Sequence, residues 1–131
     1  MPSGNGAPKQ ILVVDDEPVI LELIEHALST GDYSVSNARD GVEALALFSE
    51  SPYHLVITDF EMPRMKGDEL VEKLRRLVPG QRIIMVSSNW QKLADPLSKV
   101  NLCLAKPFLV GDLIMAVRRV LQDGERSLRL A

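Results

Sequence analysis

Four short apolar runs in this chain each stop at a residue able to do chemistry. Ile11 to Val14 ends in Asp15-Asp16, Leu55 to Ile57 in Thr58-Asp59, Ile83 to Val86 in Ser87-Ser88, and Leu102 to Ala105 in Lys106-Pro107. Gathered in one crevice, these ends supply three carboxylates, a hydroxyl and an ammonium. Three carboxylates do not share a crevice freely. At ~5 Å and an effective dielectric of ~20, each like-charged pair costs about 3 kcal/mol. Either some pKa values rise or a cation is captured. Carboxylates with waters and a backbone carbonyl suit a hard divalent ion such as Mg²⁺, which keeps several waters and shares its shell with a phosphate oxygen. Lys106 is then a point charge for that phosphate and Ser87 a hydrogen-bond donor to it. An aspartate beside the metal can attack phosphorus.

The elements that must position these groups follow a regular rhythm. Val19, Ile20, Leu23, Ile24, Ala27 and Leu28 recur at helical spacing between Glu17 and Thr30, and Gly31-Asp32 breaks the pattern. Tyr33 to Ala38 alternates like a less buried strand, and Asp40 can cap a helix through about Glu50. After Asp59 comes a loop from Phe60 to Gly67. A helix capped by Asp68 follows, with Leu70, Val71, Leu74 and Leu77 on one face, closed by Pro79-Gly80. A weaker helical stretch from about Trp90 to Lys99 contains Pro96, which breaks or kinks it. Asp112 caps the last helix, which Gly124 stops. Five strands thus alternate with five helices. Four of the strands are apolar without alternation, as strands covered on both faces of a parallel sheet are. The pattern implies an open, doubly wound α/β sheet with right-handed crossovers. In such a sheet the ligand crevice lies beyond the carboxyl ends of the strands, where the reactive residues fall.

Composition narrows the classes. The chain has 131 residues, 46% hydrophobic and 25% charged, the amounts of one ordinary globular domain. Its 15 basic against 18 acidic residues leave a net charge of -3, which argues against a dedicated binder of nucleic acid or membrane surfaces. No apolar run approaches the ~20 residues of a membrane span. A single cysteine excludes an internal disulfide framework, and a reducing, cytoplasmic location is the expectation. Residues 1–9, rich in Gly, Pro, Ser and Asn, are expected to be a flexible arm rather than a signal peptide. Residues 10–124 form the domain. Residues 125–131 are a short tail, too short for a DNA-binding or catalytic domain.

Taken together, ILVVDDE, ITDFEMPRMKG, MVSS and AKPF, in that order, resemble the receiver domain of two-component response regulators, chemotaxis-regulator-like, over about residues 10–123. The resemblance implies a flavodoxin-like five-stranded parallel sheet of order 2-1-3-4-5, with helices on both faces. It makes Asp59 the phosphoacceptor. Asp16, Asp59 and the backbone carbonyl of Glu61 become direct Mg²⁺ ligands (Mn²⁺ an alternative), with Asp15 acting through a bound water. Ser87 matches the switch hydroxyl, Lys106 the phosphoryl-contacting lysine, and Lys106-Pro107 the family's cis peptide. The implied reaction moves a phosphoryl group from a phosphohistidine on a sensor histidine kinase or phosphotransfer protein to Asp59, followed by hydrolysis. The implied switch is the face around the fourth helix and fifth strand, acting on an output partner or domain. The protein is then not an enzyme beyond its own phosphorylation and dephosphorylation, and is a monomer or a weak phosphorylation-dependent dimer.

The sequence departs from the family in three places. Cys103 stands where many receivers carry an aromatic residue coupled to the switch hydroxyl. The segment between Ser87 and Lys106 is short by about one helical turn. Glu61 and Asn89 occupy positions that tune hydrolysis in the family. Two other functions compete. A metal-dependent phosphohydrolase with an aspartyl-phosphate intermediate would use Asp15-Asp16-Glu17, but no cap segment for a substrate is evident. A pseudo-receiver acting by protein binding alone would have lost the acceptor or the lysine, and both are present. No G-x-G-x-x-G follows the first strand, which disfavours a nicotinamide site. Capping alone explains an Asp at a strand end but not its lysine and hydroxyl companions. His26, on a polar helix face, and His54, without ligand-spaced neighbours, read as ordinary solvated or packing residues. Met62, Met65, Met85 and Met115 read as loop and core filling, Cys103 as a small core residue, and Arg75-Arg76 and Arg118-Arg119 as solvated pairs.

Overall fold

A computed structural model describes residues 7–88 and 100–130, and of residues 123–130 only the helix to which they belong. The elements are β1 (Lys9–Val14), α1 (Pro18–Leu28), β2 (Tyr33–Ala38), α2 (Gly41–Glu50), β3 (Leu55–Asp59), α3 (Gly67–Leu77), β4 (Ile83–Ser87), β5 (Leu102–Ala105) and α4 (Val110–Leu130). The strands make one sheet of order β2-β1-β3-β4-β5. Every pairing is parallel, as expected.

Alternation along β1 shows how the sheet divides the core. Ile11 and Val13 face one way and pack with Leu21, Ile24 and Leu28 of α1 and Leu113, Val117 and Val120 of α4. Leu12 and Val14 face the other way and pack with Ala44 and Phe48 of α2 and Leu70, Val71 and Leu74 of α3. Side chains two apart share a face, so a continuous apolar strand serves two cores at once. A fully buried Leu or Ile is worth ~1.5–3 kcal/mol over an exposed one, which makes these two layers the main support of the strand ends.

β2 lies at one edge and is only half-buried, in line with its polar alternation. β5 lies at the other edge, and Leu102 to Leu104 are half-buried rather than covered on both faces. Asp40 caps α2 as the sequence predicts, its carboxylate accepting from Glu43 N–H at 2.8 Å. Asp68 does not cap α3: Lys66 holds that position and Asp68 sits in the first turn. Asp112 likewise lies in the first turn of α4, which begins at Val110. Gly124 does not stop α4, which continues to Leu130. A lone glycine costs a helix only about 1 kcal/mol relative to alanine. The first strand begins at Lys9, inside the expected arm. Met115 is 68% exposed and fills no core. Arg75 is half-buried rather than solvated, donating to the carbonyl of Pro79 at 3.2 Å and to that of Gln81. The predicted helical stretch at Trp90 to Lys99, with Asn89 and Pro96, lies outside the described residues. Among the described residues no helix is long and apolar enough to cross a membrane.

Candidate functional site

Register sets where the reactive residues emerge. Val14 pairs with Ala38 and Thr58, Asp59 with Val86, and Ser87 with Ala105. Three further backbone bonds carry the ladder past the strand ends: Asp15 N–H to Ala38 at 3.0 Å, Phe60 N–H to Val86 and Lys106 N–H to Ser87, both at 2.9 Å. Asp15, Asp59, Ser87 and Lys106 therefore leave the sheet at one edge. The Lys106-Pro107 peptide is cis.

Carboxylate oxygens of Asp15, Asp16 and Asp59 all lie within 4.8 Å of one another. Lys106 Nζ sits 3.1 Å from Asp15 Oδ2 and 3.3 Å from Asp59 Oδ1. Asp15 and Asp59 are buried and Asp16 is exposed. Both oxygens of Asp15 are engaged, Oδ1 by the Glu17 N–H at 2.9 Å and Oδ2 by Lys106. Asp59 Oδ1 differs. It is buried and near the ammonium, but receives no well-directed hydrogen bond among the described residues.

Burial pushes the Asp59 carboxyl up to about 6, and the negative charge of Asp15 pushes in the same direction, against the pull of Lys106. For Lys106 burial works downward, but the hydrogen bond to Asp15 and the charges of Asp59 and Asp15 outweigh it and raise the pKa. The ammonium therefore stays charged. With one ammonium against three crowded carboxylates, and an acceptor oxygen short of a partner, the donor set fits a divalent oxygen-seeking cation. Asp16 and Asp59 have oxygens to offer it, whereas those of Asp15 are already in use.

Glu61 lies in the loop after β3, and its side chain accepts from Ser88 Oγ at 3.4 Å. Ser87 is buried at the end of β4. Cys103 pairs in register with Met85 and packs half-buried against the α2–α3 layer. His26 is exposed, and His54 Nδ1 accepts from the Gln10 N–H at 2.9 Å, far from the carboxylates. Sequence reasoning missed two contributors. Glu17 approaches Lys106 Nζ at 3.8 Å while its N–H fixes Asp15; the third acid of the DDE run was the available signal. Gly67 lies so close to the end of β3 that a Cβ there would stand 2.4 Å from the Asp59 carbonyl oxygen. A glycine between a polar loop and an amphipathic helix was the only hint of it.

Comparison with known proteins identifies a family for the chain. The family model for the response regulator receiver domain matches residues 11–118. The response regulator MprA of Mycobacterium sp. (strain KMS) is 33% identical over 118 residues, covering 88% of this chain and 51% of that protein. The chain spans about half the length of the first curated relatives it matches. Among solved structures, the chemotaxis response regulator CheY4 of Vibrio cholerae aligns with a TM-score of 0.81 at 30% identity, covering 88% of this chain and 100% of that one. The response regulator TrrA of Thermotoga maritima, in complex with Mg²⁺ and BeF, aligns with a TM-score of 0.78 at 34% identity, over 86% and 99% of the two chains.

Proposed function

The chain belongs to the response regulator receiver domain family, a family of two-component signalling proteins, and from that premise we propose how its residues carry the signal. Asp59 is the phosphoacceptor. The observation that carries this assignment is its buried, under-bonded Oδ1 inside a triad of carboxylates, with an ammonium 3.3 Å away. At neutral pH the carboxylate is ionised, since about 6 still lies below 7. One oxygen attacks phosphorus. The bond from phosphorus to the phosphohistidine nitrogen breaks, its electron pair leaves with the imidazole, and an acyl phosphate forms. Water later attacks phosphorus, releasing inorganic phosphate and restoring the carboxylate.

Lys106 presents a fixed positive charge to the incoming phosphoryl group, held in place by Asp15 and Glu17. Mg²⁺ or Mn²⁺, bound by Asp16, Asp59 and the Glu61 carbonyl with Asp15 acting through water, would supply the charge that lets a carboxylate meet an anionic phosphoryl group. The acyl phosphate adds ~1–2 negative charges and three acceptor oxygens beside Ser87, which draws that hydroxyl inward and biases the β4–β5 side of the sheet. With Cys103 in place of an aromatic, this movement is transmitted without a rotating ring.

The donor is a phosphohistidine on a sensor histidine kinase or phosphotransfer protein, and the output is a partner or attached domain. An apolar groove of about 280 Å³, lined by Ile20, Leu23, Ser88, Lys106, Pro107 and Phe108, reaches the lysine of the site and supports a protein donor. The single thiol suits the reducing cytoplasm.

Incubation with acetyl phosphate and Mg²⁺, followed by intact mass, tests the assignment. One added phosphoryl group is expected on the native chain and none on Asp59→Asn. Equal labelling of both defeats it, and steady turnover of a phosphate ester in place of a single label supports a hydrolase instead.

A further inference from the structure

The loop between β3 and α3 carries Glu61, whose carbonyl the proposed function gives to the cation, so its shape matters to the acidic cluster. Several contacts fold it. The Met65 N–H donates to the Pro63 carbonyl at 2.7 Å and the Gly67 N–H to that of Phe60 at 2.8 Å. Met62 and Met65 are buried in the α2–α3 layer. Between them Arg64 takes a left-handed backbone, φ 71°. Residues with a Cβ rarely adopt this region, so something outside the residue must favour it.

That something lies at the N-cap of α2. The Arg64 guanidinium pairs with Asp40 Oδ2. Asp40 is fixed independently. Its Oδ1 accepts from the Glu43 N–H at 2.8 Å, while Glu43 Oε1 accepts at 2.8 Å from the N–H of Arg39, the residue before the cap, so bonds on both sides of the cap fix it. Its carboxyl is held below the ordinary value, first by the Glu43 N–H and then by Arg64. A second contact runs in parallel: Met65 covers Gly41 so closely that a Cβ there would stand 2.6 Å from its sulfur. The helix end is the anchor and the loop is the part being held.

We propose that the Arg64–Asp40 pair is a positioning clamp that holds the loop following Asp59 in its ligand-presenting shape and thereby raises the affinity of the acidic cluster for a divalent cation. The proposal rests on the site reading given above. An exposed ion pair adds little to global stability, so the clamp acts locally, on the loop.

Two single variants and their combination separate the effects. Arg64→Gly keeps the left-handed backbone accessible and removes the guanidinium. Asp40→Asn keeps a helix cap and removes the charge. Mg²⁺ affinity of the full chain is measured by calorimetric titration, and stability of the EDTA-treated chain by urea unfolding. Each single variant is expected to weaken Mg²⁺ binding by about 3- to 10-fold, the double variant no more than the worse single, and the urea midpoints to stay close to native. Native-like Mg²⁺ affinity in both singles overturns the clamp, as do additive losses or losses that merely track the urea midpoint. A native chain that does not bind Mg²⁺ overturns the reading of the site itself, which keeps the two failures apart.

Discussion

Asp59 is 4% exposed, and burial together with Asp15 lifts its carboxyl from 3.8 to about 6. That displacement corresponds to roughly 3 kcal/mol between its two protonation states. Between pH 3.8 and 6 the folded chain holds more of this proton than the unfolded one, so stability falls as pH rises through that window. Above it the loss is complete. Asp59→Asn removes the charge at every pH. In EDTA it is expected to melt higher than the native chain at pH 7, by the equivalent of about 1–3 kcal/mol, with the gain fading toward pH 4. Thermal melts of both chains across pH 4–8 would measure it, and a variant less stable than native at pH 7 would refute the account. Mg²⁺ should narrow the gap by stabilising only the native carboxylate. The gathering of Asp15, Asp16, Asp59 and Lys106 was legible in the sequence because each follows an apolar run. The partners that tune them were not: Glu17 approaches Lys106 only once α1 has turned it there, and Asp40 meets Arg64 across 24 positions of sequence.

Elements were legible where an apolar pattern had to be buried and less so at their ends. An aspartate favours a helix N-terminus both by accepting an N–H and by its charge near the helix dipole. Asp40 does the first as the N-cap, while Asp68 and Asp112 lie inside the first turn, where Asp68 accepts only from the N–H of its neighbour Glu69 at 2.8 Å, and composition does not separate the cases. The half-buried state of β5 follows from its place at the sheet edge, which a short apolar run does not encode. Gly67 matters at this scale because α3 begins against the end of β3. A Cβ on Gly67 would stand 2.4 Å from the Asp59 carbonyl oxygen and 2.8 Å from Phe60 Cα, both backbone atoms with little freedom to give. Alanine is the better helix former by about 1 kcal/mol, but the overlap outweighs it. Gly67→Ala is expected to lower stability by about 1–3 kcal/mol and to slow acetyl phosphate labelling, because α3 or the acceptor strand must shift. Urea unfolding beside a labelling time course checks both. An alanine variant as stable and as readily labelled as native would show that the close approach is unimportant.

At the scale of the whole molecule, the sheet delivers every reactive group to one edge, while α1 and α4 pack on the same face beside it. A groove runs from Ile20 and Leu23 of α1 to Pro107 and Phe108 in the segment between β5 and α4, with Lys106 and Ser88 in its wall. A small donor such as acetyl phosphate needs only the acidic cluster and the lysine. On the proposed function a phosphohistidine donor arrives on a folded protein, and the groove is the apolar surface beside Lys106 that such a fold would cover. The two donors therefore depend on different parts of the surface. Leu23 is 36% exposed and lines the groove, so Leu23→Asp places a charge in the apolar wall while Asp15, Asp16, Asp59 and Lys106 keep their side chains. Transfer from a phosphorylated histidine-containing donor domain should fall about 10-fold or more, since a buried unpaired charge costs an interface at least ~1–2 kcal/mol. Labelling by acetyl phosphate at the same Mg²⁺ concentration should proceed at the native rate. Parallel time courses with the two donors make the comparison internal to each preparation. Equal loss with both would place the defect in the fold of the acceptor edge, and equal retention would move the donor's docking face away from α1.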